Sequence, residues 1–235
     1  MASIERDKSA VSVTQDNELI QASYTLTLNE KRLLLLCISK LDPRHFPRTG
    51  AECEMTVEEW RERFPQDDTP WRALQRSAKR LLKRHVTFHP RAGVTKDINW
   101  FDSVEYVEGE GRIKICFTYS ITTRLQGFVE QFTKVNLLEV SRFTSFHTIR
   151  LYELISQFRA TGYRRISLDD LRLALSCIDS YSETKMLKRW VLNPALKEIN
   201  EKADFSVECR DTKRGRRIVG FEFIISEKAQ GDLFQ

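Results

Sequence analysis

The densest group of side chains that could do chemistry is a run of cations. Between Trp71 and Arg91 there are seven basic residues and no acidic one. Leu74, Ala78 and Leu82 recur at helical spacing and are expected to face a core. Guanidinium and ammonium groups on the other faces can contact phosphates or guanine edges, and a charged face that only meets water is the alternative. The DNA contacts predicted here are Arg72, Arg76, Lys79, Arg80 and Lys83.

A second cationic segment lies near the C-terminus. Residues 210–217 hold five basic side chains and one acid, Asp211, around Gly215. Glycine favours a turn, so this segment is expected to form the tip of a hairpin. Five cations this close repel one another unless an anion relieves the repulsion, which favours phosphate contact over a role in solubility alone. The predicted contacts are Lys213, Arg214, Arg216 and Arg217.

A helix is expected just before that hairpin, from about Glu183 to Lys202. Its N-terminal end should enter the major groove of DNA. Pro194 removes a backbone hydrogen bond in mid-helix and should kink or divide the helix. Asn200 could read an adenine edge or cap the helix C-terminus. The candidate DNA-contacting residues of this helix are Lys185, Lys188, Arg189 and Asn193.

Residues that could support catalysis are scattered. His85 and His89 straddle an expected change from helix to strand, so they make no convincing metal site. The tyrosines lack the His-x-His partner of a rolling-circle nuclease, and the sequence has no G-x-x-x-x-G-K-[ST] loop for ATP. The acidic pairs at 67–68 and 169–170 lie at expected helix starts, where acids favour the helix dipole. We predict no catalytic residue, metal or cofactor; metal-dependent cleavage would revive the alternative, a polynucleotide-processing enzyme.

An internal repeat indicates which elements hold these cations. The apolar helix pattern that starts at Leu34 returns 117 positions later at Leu151, with Ile-Ser at the same place in both. The same offset maps Leu74, Ala78, Leu82 and Phe88 onto Val191, Ala195, Ile199 and Phe205. Chance similarity between amphipathic helices is the alternative explanation. The equal offsets favour duplication.

Helix-start signals complete each repeat. A Thr or Ser followed three residues later by an acid opens a helix at Thr27, Thr56 and Ser167, and Thr69-Pro70 places a cap before a proline at the first helical position. Alternating strands at 113–121 and 219–225 end the two halves in hairpins, the first with a tip at 109–112. This order predicts an α+β fold with two tandem winged-helix domains, each a helix-turn-helix with a β-hairpin wing, related by internal duplication.

The predicted domains are 1–132 and 133–235. The segment 122–143 is expected to form a packed linker of helix and strand, and residues 1 to about 18 are expected to be mobile. A length of 235 residues suits two domains, and a net charge of +5 with a pI near 9.0 favours polyanionic partners.

Cysteine usage and apolar runs indicate the compartment. Five widely spaced cysteines without a C-x-x-C pair favour reduced thiols. The first nine residues lack a signal-peptide core, and the run from Leu33 to Ile38 is too short to cross a bilayer. We expect a cytoplasmic protein without a membrane partner.

These residues resemble the iteron-binding replication initiators of bacterial plasmids, of RepA/RepE type, from about Asn17 to Ser226. The stretches that carry the resemblance are LTLNEKRLLLLCIS (26–39), LDPR (41–44), RLYEL (150–154), LKEIN (196–200) and KRGR (213–216). The resemblance implies an N-terminal winged-helix domain for dimerisation and auxiliary DNA contact, and a C-terminal one that reads the repeat. It assigns base contacts to Lys188 and Arg189 and wing contacts to Lys213, Arg214 and Arg216, whereas Trp190 replaces a residue that can be basic in relatives.

The resemblance also implies a biological role. Monomers of such proteins bind direct repeats at an origin and start strand opening, with a host initiator and the replicative helicase as partners. Their dimers bind an operator inverted repeat and repress the initiator's own promoter. A dedicated dimeric winged-helix repressor without an initiator role is the alternative.

The last residues suggest a further partner. Gln230, Leu233 and Phe234 match the Q-x-x-L-F pattern with which replication proteins dock on the sliding clamp, although Gly231 departs from the usual Leu. A frayed tail, or a Leu-Phe pair that folds back onto the domain, is the alternative.

Overall fold

The computed structural model describes residues 12–42, 49–107, 109–125 and 132–228. The first half runs from β1 to α5. Its elements are β1 (Ser12–Asp16), α1 (Asn17–Gln21), α2 (Leu28–Ser39), β2 (Glu52–Thr56), α3 (Val57–Arg63), α4 (Pro70–Leu81), β3 (His85–Arg91), β4 (Val94–Asn99), β5 (Phe101–Val107), β6 (Arg112–Phe117) and α5 (Tyr119–Leu125).

The second half repeats this order with fewer elements. They are β7 (Phe132–Asn136), α6 (Leu137–Arg142), α7 (Phe146–Ser156), β8 (Tyr163–Ser167), α8 (Leu168–Ala174), α9 (Thr184–Leu187), a π turn (Lys188–Leu192), α10 (Asn193–Lys202), β9 (Phe205–Arg214) and β10 (Arg217–Glu227). The backbone stays helical from α9 through the π turn into α10. We call this continuous helix, residues 184–202, the reading helix.

The two halves share one sheet topology. Three antiparallel strands lie in the order β2-β6-β5 in the first half and β8-β10-β9 in the second. In each half a short strand pairs with the last strand of the hairpin. This short strand is β2, just before α3, in the first half and β8, just before α8, in the second. Three helices and a hairpin in this arrangement form a winged helix, so the prediction of two tandem winged-helix domains is confirmed.

Local capping signals predicted the helix starts well. Thr27 with Glu30 and Thr56 with Glu59 form reciprocal capping boxes, and the Ser167 hydroxyl accepts from the Asp170 backbone N–H at 3.0 Å. Thr69 occupies the N-cap of α4 but makes no capping hydrogen bond. Its own backbone N–H donates instead to the Asp67 carboxylate, at 3.2 Å, in the loop before the helix.

Two expectations about the strands of the first half were wrong in part. The alternation at 113–121 continues as a strand only to Phe117; Ile121 lies in α5, where a helical turn buries it together with Thr122 and Leu125. Phe88, which the repeat maps onto Phe205 of β9, does not join the β6 sheet, because β3 pairs with β4 as a separate hairpin. Phe88 therefore lies in an inserted hairpin, and the counterpart of β9 is β5.

The expected mobility of residues 1–18 is contradicted for the described part, 12–18. Strand β1 pairs antiparallel with β7 at the start of the second half, with Val13 opposite Val135. Asp16 caps α1 as Asn136 caps α6, each through its side chain. The repeat therefore includes a strand and a short helix before α2 and α7, and the expected linker of helix and strand at 122–143 is present as α5, β7 and α6.

Charged side chains are buried where the halves meet. The Glu153 carboxylate of α7 lies 2.7 Å from the Lys31 ammonium of α2 and 3.0 Å from the Arg150 guanidinium, and all three side chains are fully buried. The Tyr24 hydroxyl accepts from Lys31 and Arg150 at 2.7 Å each. Burial lowers the pKa of Lys31 to about 8. Buried apolar side chains of both halves form one contiguous cluster around this group.

Candidate nucleic-acid interface

Helix α4 presents the first predicted cationic surface. Leu74, Ser77, Ala78 and Leu81 are buried, which turns the opposite side of the helix to solvent. Leu82 is half-buried. The predicted DNA contacts are all exposed and have no ion-pair partner within the described part of the chain: Arg72, Arg76, Lys79, Arg80 and Lys83.

The reading helix accommodates Pro194 without dividing. Proline has no N–H to donate, and in the turn before it the Asn193 N–H reaches back five residues to the Lys188 carbonyl. The predicted kink is thus a π turn at Lys188–Leu192. Leu187, Val191 and Leu192 pack inward, and Lys185, Arg189 and Asn193 remain exposed.

Lys188 differs from its neighbours. Its ammonium lies 2.7 and 2.8 Å from the two carboxylate oxygens of Asp211 on β9, and its side chain is only 32% exposed. The pair joins the reading helix to the strand that leads into the hairpin tip. The resemblance assigns base contacts to two residues. In the structure Arg189 is exposed, whereas the Lys188 ammonium is paired with the Asp211 carboxylate.

The β9–β10 hairpin forms the second predicted surface, which we call the wing. Gly215 turns the chain at its tip with a φ of +62°, a conformation that L side chains rarely adopt. Arg210 is paired with Glu208 at 2.8 Å. The predicted phosphate contacts are all exposed: Lys213, Arg214, Arg216 and Arg217.

Two side chains at the base of the wing support it. The Asn200 side-chain amide forms two hydrogen bonds with the backbone of β9. It donates to the Val207 carbonyl at 3.0 Å and accepts from the Val207 N–H at 2.6 Å. The Asn200 amide is thus paired with β9, and Ala203, not Asn200, is the C-cap of the helix. Burial raises the pKa of Cys209 to about 11, which keeps its thiol neutral behind Lys188 and Asp211.

The first half has a different hairpin surface. At the end of the β5–β6 hairpin, Arg112 is paired with Glu54 and Glu110, so its charge is balanced locally. The inserted β3–β4 hairpin instead exposes His85, His89, Arg91 and Lys96. Sequence reasoning missed this hairpin; its signal was a glycine turn at Gly93 between two alternating segments.

The remaining predictions concern metals, membranes and the tail. The described ranges contain no group of three His, Cys, Asp or Glu side chains that could hold a metal ion. Within the same ranges, no helix has the length and apolar character to cross a bilayer. Gln230, Leu233 and Phe234 lie outside the described residues.

Both halves of the chain match family models of known proteins. The model of a family described as "Initiator Replication protein, WH1" matches residues 12–156, and the model described as "Initiator Rep protein, WH2" matches residues 167–225. A "Replication initiation protein" of Escherichia coli is 27% identical over 236 residues, which cover 96% of this chain and 72% of the relative. An "Uncharacterized 27.6 kDa protein" of the same organism is 27% identical over 205 residues, covering 82% and 86%.

A solved structure shares the whole architecture. The crystal structure of Pi initiator protein in complex with iteron DNA superposes with a TM-score of 0.80, covering 94% of this chain and all of that one. Sequence identity in this match is 21%, so the match supports the fold. The agreement extends over both winged-helix units.

Proposed function

Because this chain belongs to the family of initiator replication proteins with two winged-helix units, we propose that it is a plasmid replication initiator that binds iteron DNA. As a monomer it binds direct repeats at the origin, promotes origin opening and leads to helicase loading through the host initiator and helicase. As a dimer it binds an inverted repeat and represses its own promoter. It acts through binding energy, without catalysis.

The observation that carries this proposal is the pairing of an exposed reading-helix face with a cationic wing. Arg189 and Asn193 lie on a helix whose opposite side is packed into the core. The wing follows directly and is joined to that helix through Lys188 and Asp211. In winged helices a helix of this kind reads base edges while the hairpin contacts the backbone. The matched families and the Escherichia coli replication initiation protein support the same role.

The two domains have different roles in this proposal. Residues 1–132 serve dimerisation and contact DNA through α4, and residues 133–235 read the repeat. Lys185, Arg189 and Asn193 are the exposed reading-helix contacts, and Lys188 borders them with its ammonium held by Asp211. The Pi initiator protein, which has this fold, is bound to iteron DNA in its crystal structure. The tail at Gln230, Leu233 and Phe234 is proposed as a sliding-clamp contact on its sequence pattern alone.

The first experiment is selection of duplexes from random double-stranded DNA near physiological salt, followed by sequencing of the bound pool. An asymmetric site of about two helical turns is expected if one monomer reads with both domains. A purely palindromic site would favour the dedicated repressor. A bound pool without any enriched sequence would contradict the proposal.

Two variants separate base contacts from phosphate contacts. Arg189→Ala should weaken the selected site by about 1–3 kcal/mol and leave random DNA nearly unaffected. Arg214→Ala should weaken all sequences alike and reduce the salt slope by about 1. Equal effects of both variants on selected and random DNA would contradict this division of roles.

A further inference from the structure

The exposed face of the reading helix carries apolar side chains among its cations. Met186 is 41% exposed and Trp190 is 56% exposed. Among the described residues, the large hydrophobic side chains that are exposed include four between 178 and 190: Ile178, Tyr181, Met186 and Trp190. Exposed apolar side chains are common singly, but a group at one place on the surface marks a contact site.

Packing does not explain this exposure. Leu187, Val191 and Leu192 already fill the core side of the same turns and are almost completely buried. Met186 and Trp190 lie four positions apart, about one helical turn, and point away from that side. The core therefore gains nothing from apolar residues at these two positions.

Cations flank the two apolar side chains. The Arg189 guanidinium lies over the Trp190 ring, 4.9 Å from its centroid, and Lys185 is exposed next to Met186. Lys188 is drawn away to Asp211 on the wing, which keeps its ammonium from the apolar pair. A partner that suits this face combines negative charge with an apolar group.

Duplex DNA has both properties in its major groove. Phosphates line the groove, and the thymine C5-methyl is the apolar group that base pairs present there. We propose that Met186 and Trp190 select the DNA site by packing against thymine methyl groups, with the cations Lys185 and Arg189 beside them. This inference rests on the proposed function and names the base that these two residues recognise.

Uracil substitution tests the inference directly. Deoxyuridine lacks only the C5-methyl and keeps the base-pairing edge of thymidine. In the best-bound selected duplex, each thymidine is replaced singly and affinity is measured by fluorescence anisotropy. Wild-type protein should lose about fourfold in affinity at one or more positions, the factor expected for one buried methylene-sized group.

Variants assign the methyl contacts to residues. Met186→Ala and Trp190→Ala should each bind the thymidine and deoxyuridine duplexes equally well at the position that the lost side chain contacts. Tyr119→Ala is the matched control, because Tyr119 is 55% exposed on α5 of the first half. That variant should keep the wild-type response to uracil. All three positions are exposed, so thermal melting should show intact folds.

Each other outcome has a definite meaning. Tight binding to the selected site with no uracil effect at any position, or a site without a preferred thymine, would overturn the inference and leave the proposed function intact. A uracil effect that persists in both variants would overturn the assignment to Met186 and Trp190. Failure to enrich any DNA sequence would instead contradict the proposed function, and the inference with it.

Discussion

Lys188 shows how one ion pair changes which groups a cation is free to contact. The sequence groups it with Arg189 as a DNA contact, yet its ammonium is held by both oxygens of Asp211. A cation in such a pair contributes little net charge to an approaching phosphate. The pair also ties the reading helix to the wing and so orients the two contact surfaces relative to each other.

Asp211→Asn should strengthen non-specific DNA binding. Asparagine keeps the size of the side chain and can still accept a hydrogen bond, but Lys188 is no longer neutralised. The slope of log K against log salt should steepen by up to about 0.9, the value for one further phosphate contact. Salt titration of random-duplex binding measures this. Glu105→Gln, which removes an exposed carboxylate from β5, is the control and should not change the slope.

Glu139 is the residue for which we predict a pH effect. Its side chain is 5% exposed, Oε2 has no hydrogen-bond partner among the described residues, and burial raises its pKa from 4.5 to about 7. The folded state therefore keeps a proton that the unfolded state loses as pH rises from about 4.5 to 7. The unfolding free energy of the wild type should fall through that window because of this group.

Glu139→Gln mimics the protonated side chain and should remove this loss. The variant should be more stable than the wild type at pH 8 and close to it near pH 4.5. Urea unfolding at several pH values gives the difference in unfolding free energy. A difference that does not change with pH would show that Glu139 does not titrate in this range.

At the scale of elements, the hairpins distinguish the two halves. Both halves build the same three-stranded sheet, but the β5–β6 hairpin balances its charges internally and the wing leaves four cations open. The wing strand β10 also depends on a close approach. Gly220 pairs with Ser167 of β8 next to a bulge, and a Cβ there would lie 2.5 Å from the Ile166 carbonyl oxygen.

Gly220→Ala should therefore push β10 away from β8. We expect a loss of about 1–3 kcal/mol in the free energy of unfolding, as for other overpacked sites. Weaker DNA binding should accompany it because the wing shifts. Val219→Ala changes the adjacent exposed residue and serves as the control in urea unfolding. Equal stability of both variants would contradict the steric argument.

At the scale of the whole molecule, buried charges connect the two halves. Two cations, Lys31 and Arg150, share the carboxylate of Glu153, and Gln15 of β1 donates to the same group at 2.8 Å. The Arg150 guanidinium also donates to backbone carbonyls of Ile20, Ala22 and Ala174. These contacts, together with the β1–β7 pair, hold the halves in one arrangement.

Glu153→Gln should be strongly destabilising, by about 3–5 kcal/mol, because two buried cations lose their counter-charge. Glu201→Gln is the matched control: it removes the exposed partner of Lys197, 3.8 Å away, and should cost at most about 1 kcal/mol. Chemical unfolding of both variants provides the comparison. A loss for Glu153→Gln no larger than the control would mean that the network is dispensable.

Much of the fold could be predicted because its signals are local. The capping boxes at Thr27 and Thr56, the Ser167 cap and the repeated helix pattern depend on residues within a turn or two of one another, and the structure has helices at each. The exposed faces of α4 and the wing follow from the same periodicity. The DNA contacts assigned to them, and the domain boundary at 132, remain predictions.

The sequence by itself determined two winged-helix units and the cationic segments on them, since amphipathic spacing, caps and charge density are properties of neighbouring residues. Only the tertiary structure decided that β1 pairs with β7, that β3 and β4 form a separate hairpin, and that Lys188 is neutralised by Asp211. Each of these contacts joins two elements, and the hydrophobic periodicity of the sequence does not specify which elements pair. Which strand or charged group a residue contacts depends on how the packed elements are oriented, and the packing of the whole core sets that orientation.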